Sequence, residues 1–244
     1  MKIAHIVPSD LLYTIENRDF YMCLANIAIK NETYRNFYKE QVERGAFVLM
    51  DNGAAEADQL SLDDIYEMMK IIKPNEIILN DVIGDRAQTI INSYIALDYY
   101  KSKGYKGDFM WVWHGKNFED WIYNGVQTEL LSEIQTIGVP KTINNDWGEG
   151  FNTRLKCCKW LKKNQLDKNI HLLGCNEPLI TFKKNKLTYV RSMDSCIAYL
   201  WSKADSQVIY ESDRPKVTMD FYNHQLRNIH MLDMNIKSVD MNIT

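Results

Sequence analysis

Short apolar runs recur along the chain, and most of them are followed by a longer segment with helical spacing of its apolar residues. Most runs are apolar on both faces, which is typical of parallel strands that are covered on both sides of a sheet. The predicted strands are KIAHIV (2–7), AFVLMD (46–51), EIILND (76–81), DFMWVWHG (108–115), TIGVPK (136–141), IHLLGC (170–175), TYVRSMDS (188–195) and SQVIYE (206–211).

The segments between these runs carry helix start and stop signals. Ser61 is a suitable N-cap, and Gly104 is a suitable residue just beyond a helix C-terminus. The predicted helices are 61–73, 85–104, 152–164 and a long closing helix over 214–239. Strands that alternate with helices in this way indicate βαβ units with right-handed crossovers.

Two α/β architectures fit this alternation, a closed barrel and a doubly wound open sheet. The open sheet usually has fewer strands and a glycine-rich phosphate loop after the first one. Here the first predicted strand is followed by PSDLLYTIENRD, which has no G-x-G-x-x-G. A barrel needs about 250 residues, and the chain has 244. We therefore predict an α/β fold, a (β/α)₈ TIM barrel that occupies 1–244 as a single domain.

The composition is that of a globular protein, with 45% apolar and 25% charged residues. The sequence contains neither an apolar stretch long enough to span a membrane nor a signal-peptide pattern at its N-terminus. We expect a cytoplasmic protein (host cytoplasm, if the chain is viral) without membrane partners. The five cysteines, which show no C-x-x-C spacing, predict reduced thiols and no metal site. They are Cys23, Cys157, Cys158, Cys175 and Cys196.

Basic residues are concentrated in one segment, although the net charge of the chain is −3. Residues 150–188 hold nine Lys or Arg against two acidic residues, and they include Lys156, Lys159 and Lys163. Such a segment is either a surface that attracts phosphates or simply the solvated face of a helix. Lys141, after the fifth predicted strand, has the same two interpretations.

Three of the predicted strands end on or next to an aspartate, namely Asp51, Asp81 and Asp194. In a (β/α)₈ barrel the carboxyl ends of the strands meet at one mouth, where active sites lie. Any one of these aspartates could be a helix N-cap. Three carboxylates at one mouth are costly to bury unless they bind something, which favours a functional site.

A pair of carboxylates suits substitution at a glycosidic carbon. One carboxylate attacks the sugar C1′ to form a covalent intermediate, and the other transfers protons to and from the leaving and entering groups. A third could accept hydrogen bonds from the donor edge of a guanine-like base.

Ordered motifs along nearly the whole chain resemble those of the tRNA-guanine transglycosylases, the enzymes of queuosine and archaeosine modification. The chain resembles more closely the shorter phage-type relatives that insert 7-deazaguanines into DNA. The combination of motifs is fairly specific, although no single one is decisive. The motifs are LMDNGAAE (49–56), IILNDV (77–82), VWHGKNFEDW (112–121), IGVPK (137–141), IHLLGC (170–175) and VRSMDSC (190–196).

The resemblance implies roles for the matching residues. Asp194 would be the nucleophile that attacks C1′, and Asp51 would be the general acid and base. Asp81 would recognise the base. Further pocket residues implied by the matching motifs are Asn52, Gly53, Gly138 and Val139, the last two as a backbone pair that meets the 7-substituent.

Two departures from the family pattern affect the expected substrate. His114-Gly115 stands where the family has Gln-Gly facing the base, which leaves the base preference open. The chain also lacks the clustered cysteines of the zinc insertion that supports tRNA binding in the tRNA enzymes. This second departure favours DNA as the substrate, with tRNA as the alternative.

The sequence thus predicts a transglycosylase that replaces guanine in DNA by a free 7-deazaguanine base through an aspartyl-sugar intermediate, without a cofactor. The alternatives are the same exchange on tRNA, a barrel hydrolase of small nucleosides or glycosides, and a non-catalytic nucleic-acid-binding relative. Homodimer formation is a further open alternative.

Overall fold

The computed structural model describes residues 1–55, 60–126, 129–143, 147–148, 151–164, 166–175, 184–185, 187–207 and 229–243. Its central feature is a single sheet of eight parallel strands, nearly closed into a barrel. The strands are β1 (Lys2–His5), β2 (Phe20–Leu24), β3 (Phe47–Asp51), β4 (Glu76–Ile78), β5 (Asp108–Val112), β6 (Thr136–Pro140), β7 (Asn169–Leu173) and β8 (Ser192–Ser195).

Helices alternate with these strands, as expected for a (β/α)₈ barrel. A 3₁₀ helix, Ser9–Ile15, follows β1. The α-helices are α1 (Ala25–Lys30), α2 (Glu32–Glu43), α3 (Leu62–Ile72), α4 (Arg86–Ser102), α5 (Phe118–Val126), α6 (Leu130–Glu133), α7 (Phe151–Lys163), α8 (Ile197–Lys203) and α9 (Ile229–Ile243). Among the described residues, no helix is long and apolar enough to cross a membrane.

The sheet order β1-β8-β7-β6-β5-β4-β3-β2 leaves one seam, between β1 and β2. These two strands lie next to each other across the seam. Outside the barrel the seam is bridged by Asp240 of α9, which accepts hydrogen bonds from His5 of β1 (2.9 Å) and from Arg18 just before β2 (2.8 Å). The C-terminal helix therefore ties the two edge strands together.

The predicted fold class is confirmed, but one of the eight strands was missed. The second strand is Phe20–Leu24, to which the sequence analysis assigned neither a strand nor a helix. The predicted strand 206–211 is wrong at Ser206 and Gln207, which are not in a strand, and its remaining residues lie outside the described ones. All five residues of β2 are buried, and the apolar run FYMCL continues directly into α1, so periodicity does not mark the strand.

The predicted helix signals agree with the structure where they can be compared. Ser61 caps α3 by accepting from the backbone N–H of Asp64, and Gly104 follows α4 with φ +83°. Helix α7 matches the predicted 152–164 closely. The closing helix runs to Ile243, beyond its predicted end at 239, and residues 214–228 of that prediction lie outside the described ones.

The strand register divides the barrel interior into an apolar part and a polar part. Since paired residues in neighbouring strands point to the same face, the register places Glu76, Thr136, His171 and Ser192 in the interior together with Asp194. All of these residues are buried. The interior residues of β2 and β3 below the mouth are Phe20, Met22, Phe47 and Leu49.

Candidate active site

A cavity of about 330 Å³ lies at the mouth formed by the carboxyl ends of the strands. Its volume is at the small end of the range for ligand sites. Six apolar side chains from five strands or strand ends form much of its wall: Ile6, Met22, Leu24, Ile78, Val112 and Leu173. The charged or titratable residues that line it include all three predicted aspartates; they are Asp51, Asp81, His114, Lys141, Asp194 and Cys196.

None of the three aspartates is a helix N-cap. Helix α3 is capped by Ser61, α4 is capped by Asp85, and Cys196 precedes α8. The helix N-cap interpretation that the sequence allowed is therefore wrong for these three aspartates. The convergence of the three carboxylates on one cavity is what the barrel geometry predicted.

Asp194 is held through one of its two carboxylate oxygens. Its Oδ1 accepts a hydrogen bond from the backbone N–H of Gly174 (3.0 Å) and lies 3.2 Å from Nε2 of His171. Within the described part of the chain, Oδ2 has no hydrogen-bond partner. The two oxygens therefore differ, and Oδ2 is the one left to contact a ligand.

His171 lies entirely inside the barrel, on the strand next to Asp194. Its Nδ1 is 2.8 Å from the hydroxyl oxygen of Ser192. Burial lowers the pKa of His171 below its ordinary value, against the opposing effect of the hydrogen bond to Asp194. His171 is therefore a neutral imidazole at neutral pH.

Asp51 ends β3, three strands from β8 around the barrel when counted across the seam. It is partly exposed, and its Oδ2 accepts a long hydrogen bond (3.4 Å) from the backbone N–H of Gly53. Gly53 has φ +78°, a conformation that a residue with a side chain rarely adopts. The tight Asp51-Asn52-Gly53 turn thus leaves the carboxylate at the rim of the cavity.

A hydrogen-bonded cluster of Asn52, Asp81 and His114 lies across the mouth from Asp194. Asn52 donates from Nδ2 to Asp81 Oδ1 (2.8 Å), and His114 Nε2 lies 2.8 Å from Asp81 Oδ2. Asn52 also donates to the carbonyl of Leu79 (2.8 Å), which fixes the amide orientation. Each side chain is almost fully buried yet lines the cavity. A carboxylate can accept about four hydrogen bonds, so Asp81 keeps capacity for a ligand.

Four other predicted pocket residues support the site without lining the cavity. Gly138 faces the barrel interior, where an added Cβ would come within 3.0 Å of Leu173 Cδ1. The carbonyl of Val139 accepts a hydrogen bond from the buried Arg154 (2.9 Å). Gly115 accepts a hydrogen bond from the indole of Trp147 (2.9 Å) through its carbonyl. Gly53 shapes the turn that follows β3. A contact of any of these four residues with a substrate therefore stays a prediction.

The predicted basic residues differ in their distance from the mouth. Lys141 lines the cavity itself. Lys156, Lys159 and Lys163 are exposed on α7, and the ammonium of Lys156 lies 4.1 Å from the ring centre of Phe118. In a βα unit the helix runs away from the mouth, and at 1.5 Å per residue Lys163 lies about 18 Å along α7 from its start. Lys141 is thus the best placed of these cations to meet a substrate.

Sequence reasoning missed the residues behind Asp194. His171 and Ser192 belong to the quoted motifs but received no role, because they lie inside the barrel, below the strand ends at which the barrel rule places active sites. Met22 and Leu24 were missed with β2 itself. Arg191, which directly precedes β8, was also missed; it donates from Nε to Ser192 (3.2 Å).

The fold and the site together define a (β/α)₈ barrel with an acidic, ligand-sized cavity at the carboxyl ends of its strands. Comparison with protein-family models and with curated proteins found no match to this chain. Within the described residues, no group of three or more His, Cys, Asp or Glu side chains could hold a metal ion.

Proposed function

We propose that this protein is a guanine transglycosylase that exchanges a guanine in DNA for a 7-deazaguanine base. The observation that carries the proposal is the presence of two carboxylates, Asp194 and Asp51, at separate points on the wall of one cavity with a largely apolar lining. A nucleophile and a separate proton-transfer group are what a two-step exchange at a glycosidic carbon requires.

In the first step, Oδ2 of Asp194 attacks C1′ of the target deoxyguanosine. The C1′–N9 bond breaks, its electron pair passes to the base, and Asp51 supplies the proton that guanine needs to leave. The product is an ester between Asp194 and C1′ together with free guanine.

In the second step, a 7-deazaguanine occupies the place of guanine. Asp51, now a carboxylate, takes the N9 proton, and N9 attacks C1′ while the ester bond to Asp194 breaks. Asp51 is thereby protonated again, so the cycle consumes no cofactor.

The Asn52–Asp81–His114 cluster supports recognition of a guanine-like edge. Asp81 is an acceptor for the N–H groups of such a base, and Asn52 and His114 hold its two oxygens in fixed directions. Because the cavity admits a base and not a duplex, the target nucleotide must leave the stack. Lys141 at the cavity wall is suited to an adjacent phosphate.

The test is nucleoside mass spectrometry after incubating the protein with double-stranded DNA, or separately with tRNA, and a mixture of 7-cyano-, 7-aminomethyl- and 7-amido-7-deazaguanine. We expect a modified deoxynucleoside with the wild-type protein and none with Asp194→Asn. Modification of tRNA alone would move the proposal to RNA. Release of guanine without incorporation would identify a hydrolase, and no reaction with either nucleic acid would refute the proposal.

A further inference from the structure

A continuous line of polar side chains, buried except for the partly exposed Arg191, runs through the barrel interior and ends on Asp194. Thr136 and Arg191 both bind the carboxylate of Glu76, Arg191 through Nη2 at 2.6 Å. Arg191 also contacts Ser192, which contacts His171, which contacts Asp194. Apolar side chains would fill this space at lower cost, since buried polar groups are costly unless they are fully paired.

The chemistry of the two ends fixes the direction of every hydrogen bond between Arg191 and Asp194. An arginine can only donate, and an ionised carboxylate can only accept. Arg191 Nε–H therefore donates to the Ser192 oxygen, the Ser192 hydroxyl donates to His171 Nδ1, and His171 Nε2–H donates to Asp194 Oδ1. This order requires a neutral His171 in the Nε2–H tautomer, which agrees with the burial of its ring.

We propose that His171 is a positioning residue for the nucleophile. The Ser192–His171 pair holds Asp194 Oδ1 so that Oδ2 faces C1′. This inference rests on the proposed function of Asp194. The Gly174 N–H is the second anchor on Oδ1, and it comes from the end of the same strand as His171. Two donors on a single oxygen restrict rotation of the carboxylate, which a uniform shell of water would not do.

The test compares His171→Leu, which removes the donor, with His171→Gln, whose amide nitrogen can occupy nearly the place of Nε2. A misplacement of a reacting group by about 1 Å costs about 100-fold in rate. We expect His171→Leu to lower kcat of base exchange by about 100-fold with little change in KM, and His171→Gln to recover most of the loss. The acid limb of the pH profile of kcat/KM should move to higher pH in His171→Leu, because an ionised carboxylate loses a donor.

His5 provides a matched control. It is also buried, its pKa is also lowered by burial, and it also pairs with an aspartate, but it faces away from the cavity toward α9. His5→Leu should reduce stability and leave kcat and the pH profile unchanged. Equal behaviour of His5→Leu and His171→Leu would overturn the inference.

Two further measurements keep the inference testable. If His171→Leu does not fold, Ser192→Ala removes the hydroxyl that selects the tautomer, together with one acceptor of Arg191, and leaves the imidazole in place. It should lower kcat and shift the pH profile in the same direction. Long-range ¹H–¹⁵N NMR of the wild-type protein should show the Nε2–H tautomer of His171. This spectrum requires no activity, so a silent wild-type enzyme would refute the proposed function, while the opposite tautomer would refute the positioning role.

Discussion

At the scale of single residues, Asp194 and Asp81 differ in which of their oxygens are hydrogen-bonded. Asp194, in β8, is anchored at Oδ1, whereas Asp81, beyond the end of β4, is bound at both oxygens, which suits the different roles proposed for the two carboxylates. An anchored nucleophile needs one unpaired oxygen, whereas a recognition group needs fixed lone pairs.

Replacement of Asp81 tests its assignment to base recognition. Asp81→Asn substitutes a donor for one of the two oxygens that now accept from Asn52 and His114, so the cluster and the base both lose an acceptor. A hydrogen bond to a charged group contributes about 1.5–3 kcal/mol, so we expect kcat/KM for base exchange to fall about 10- to 100-fold.

Asp85→Asn is the control for this substitution, since Asp85 caps α4 in the same loop and asparagine caps equally well. The assay is steady-state kinetics with varied free base. An Asp81→Asn enzyme with wild-type kcat/KM would contradict the assignment.

Gly138 tests the packing of the barrel interior below the cavity. A Cβ at this position would lie 3.0 Å from Leu173 Cδ1 and 3.3 Å from Met110 Sδ. Overpacking of this kind costs about 1–3 kcal/mol, so Gly138→Ala should lower the free energy of unfolding by this amount in urea titrations. Adding Leu173→Val, which removes the nearest atom, should restore part of the loss; a further decrease would argue against overpacking.

At the scale of secondary-structure elements, the seam between β1 and β2 is where side chains, and not the backbone hydrogen bonds of a strand ladder, hold the barrel closed. Asp240 of α9 joins His5 and Arg18 from the two sides of the seam. Burial tends to raise the pKa of Asp240, but the hydrogen bonds from His5 and Arg18 outweigh it, and the pKa lies below its ordinary value.

This lowered pKa gives the seam a defined pH dependence. A carboxyl group with a lower pKa in the folded state stabilises the fold above its unfolded pKa, and the contribution is lost as pH falls through the folded value. Asp240→Asn should therefore reduce the free energy of unfolding by about 1 kcal/mol at neutral pH, and the difference from wild type should shrink toward acid pH. Urea titrations at several pH values check this; a difference that is constant with pH would contradict it.

At the scale of the whole molecule, the barrel interior contains a largely buried charge pair. Glu76 is fully buried and pairs with Arg191, whose guanidinium lies over the rings of Phe20 and Phe47. The pair forms the lower end of the polar line that reaches Asp194.

Removal of one partner should be far more damaging than removal of both. Arg191→Leu leaves the Glu76 carboxylate buried without its counter-charge, which costs about 3–5 kcal/mol. The double substitution Glu76→Leu with Arg191→Leu should recover most of this stability. Thermal and urea unfolding of the single and double variants measure the coupling, and additive losses would show that the two side chains act independently.

The alternation of strands and helices was readable from the sequence because it reflects local periodicity and capping. The runs that became β3 to β8, the caps at Ser61 and Gly104, and the aspartates at strand ends are all features of nearby residues. The barrel rule then sufficed to bring Asp51, Asp81 and Asp194 to one cavity.

Tertiary structure alone decided the rest. The buried run of β2 continues directly into α1, so local periodicity does not separate the strand from a helix, and its pairing with β3 decides the structure. His171 reaches Asp194 through the pairing register of β7 with β8, and Asp240 reaches His5 across 235 positions of the chain. Local patterns thus determined which elements form and where they end, whereas contacts between residues remote in sequence determined which oxygen of Asp194 is held and how the barrel seam is closed.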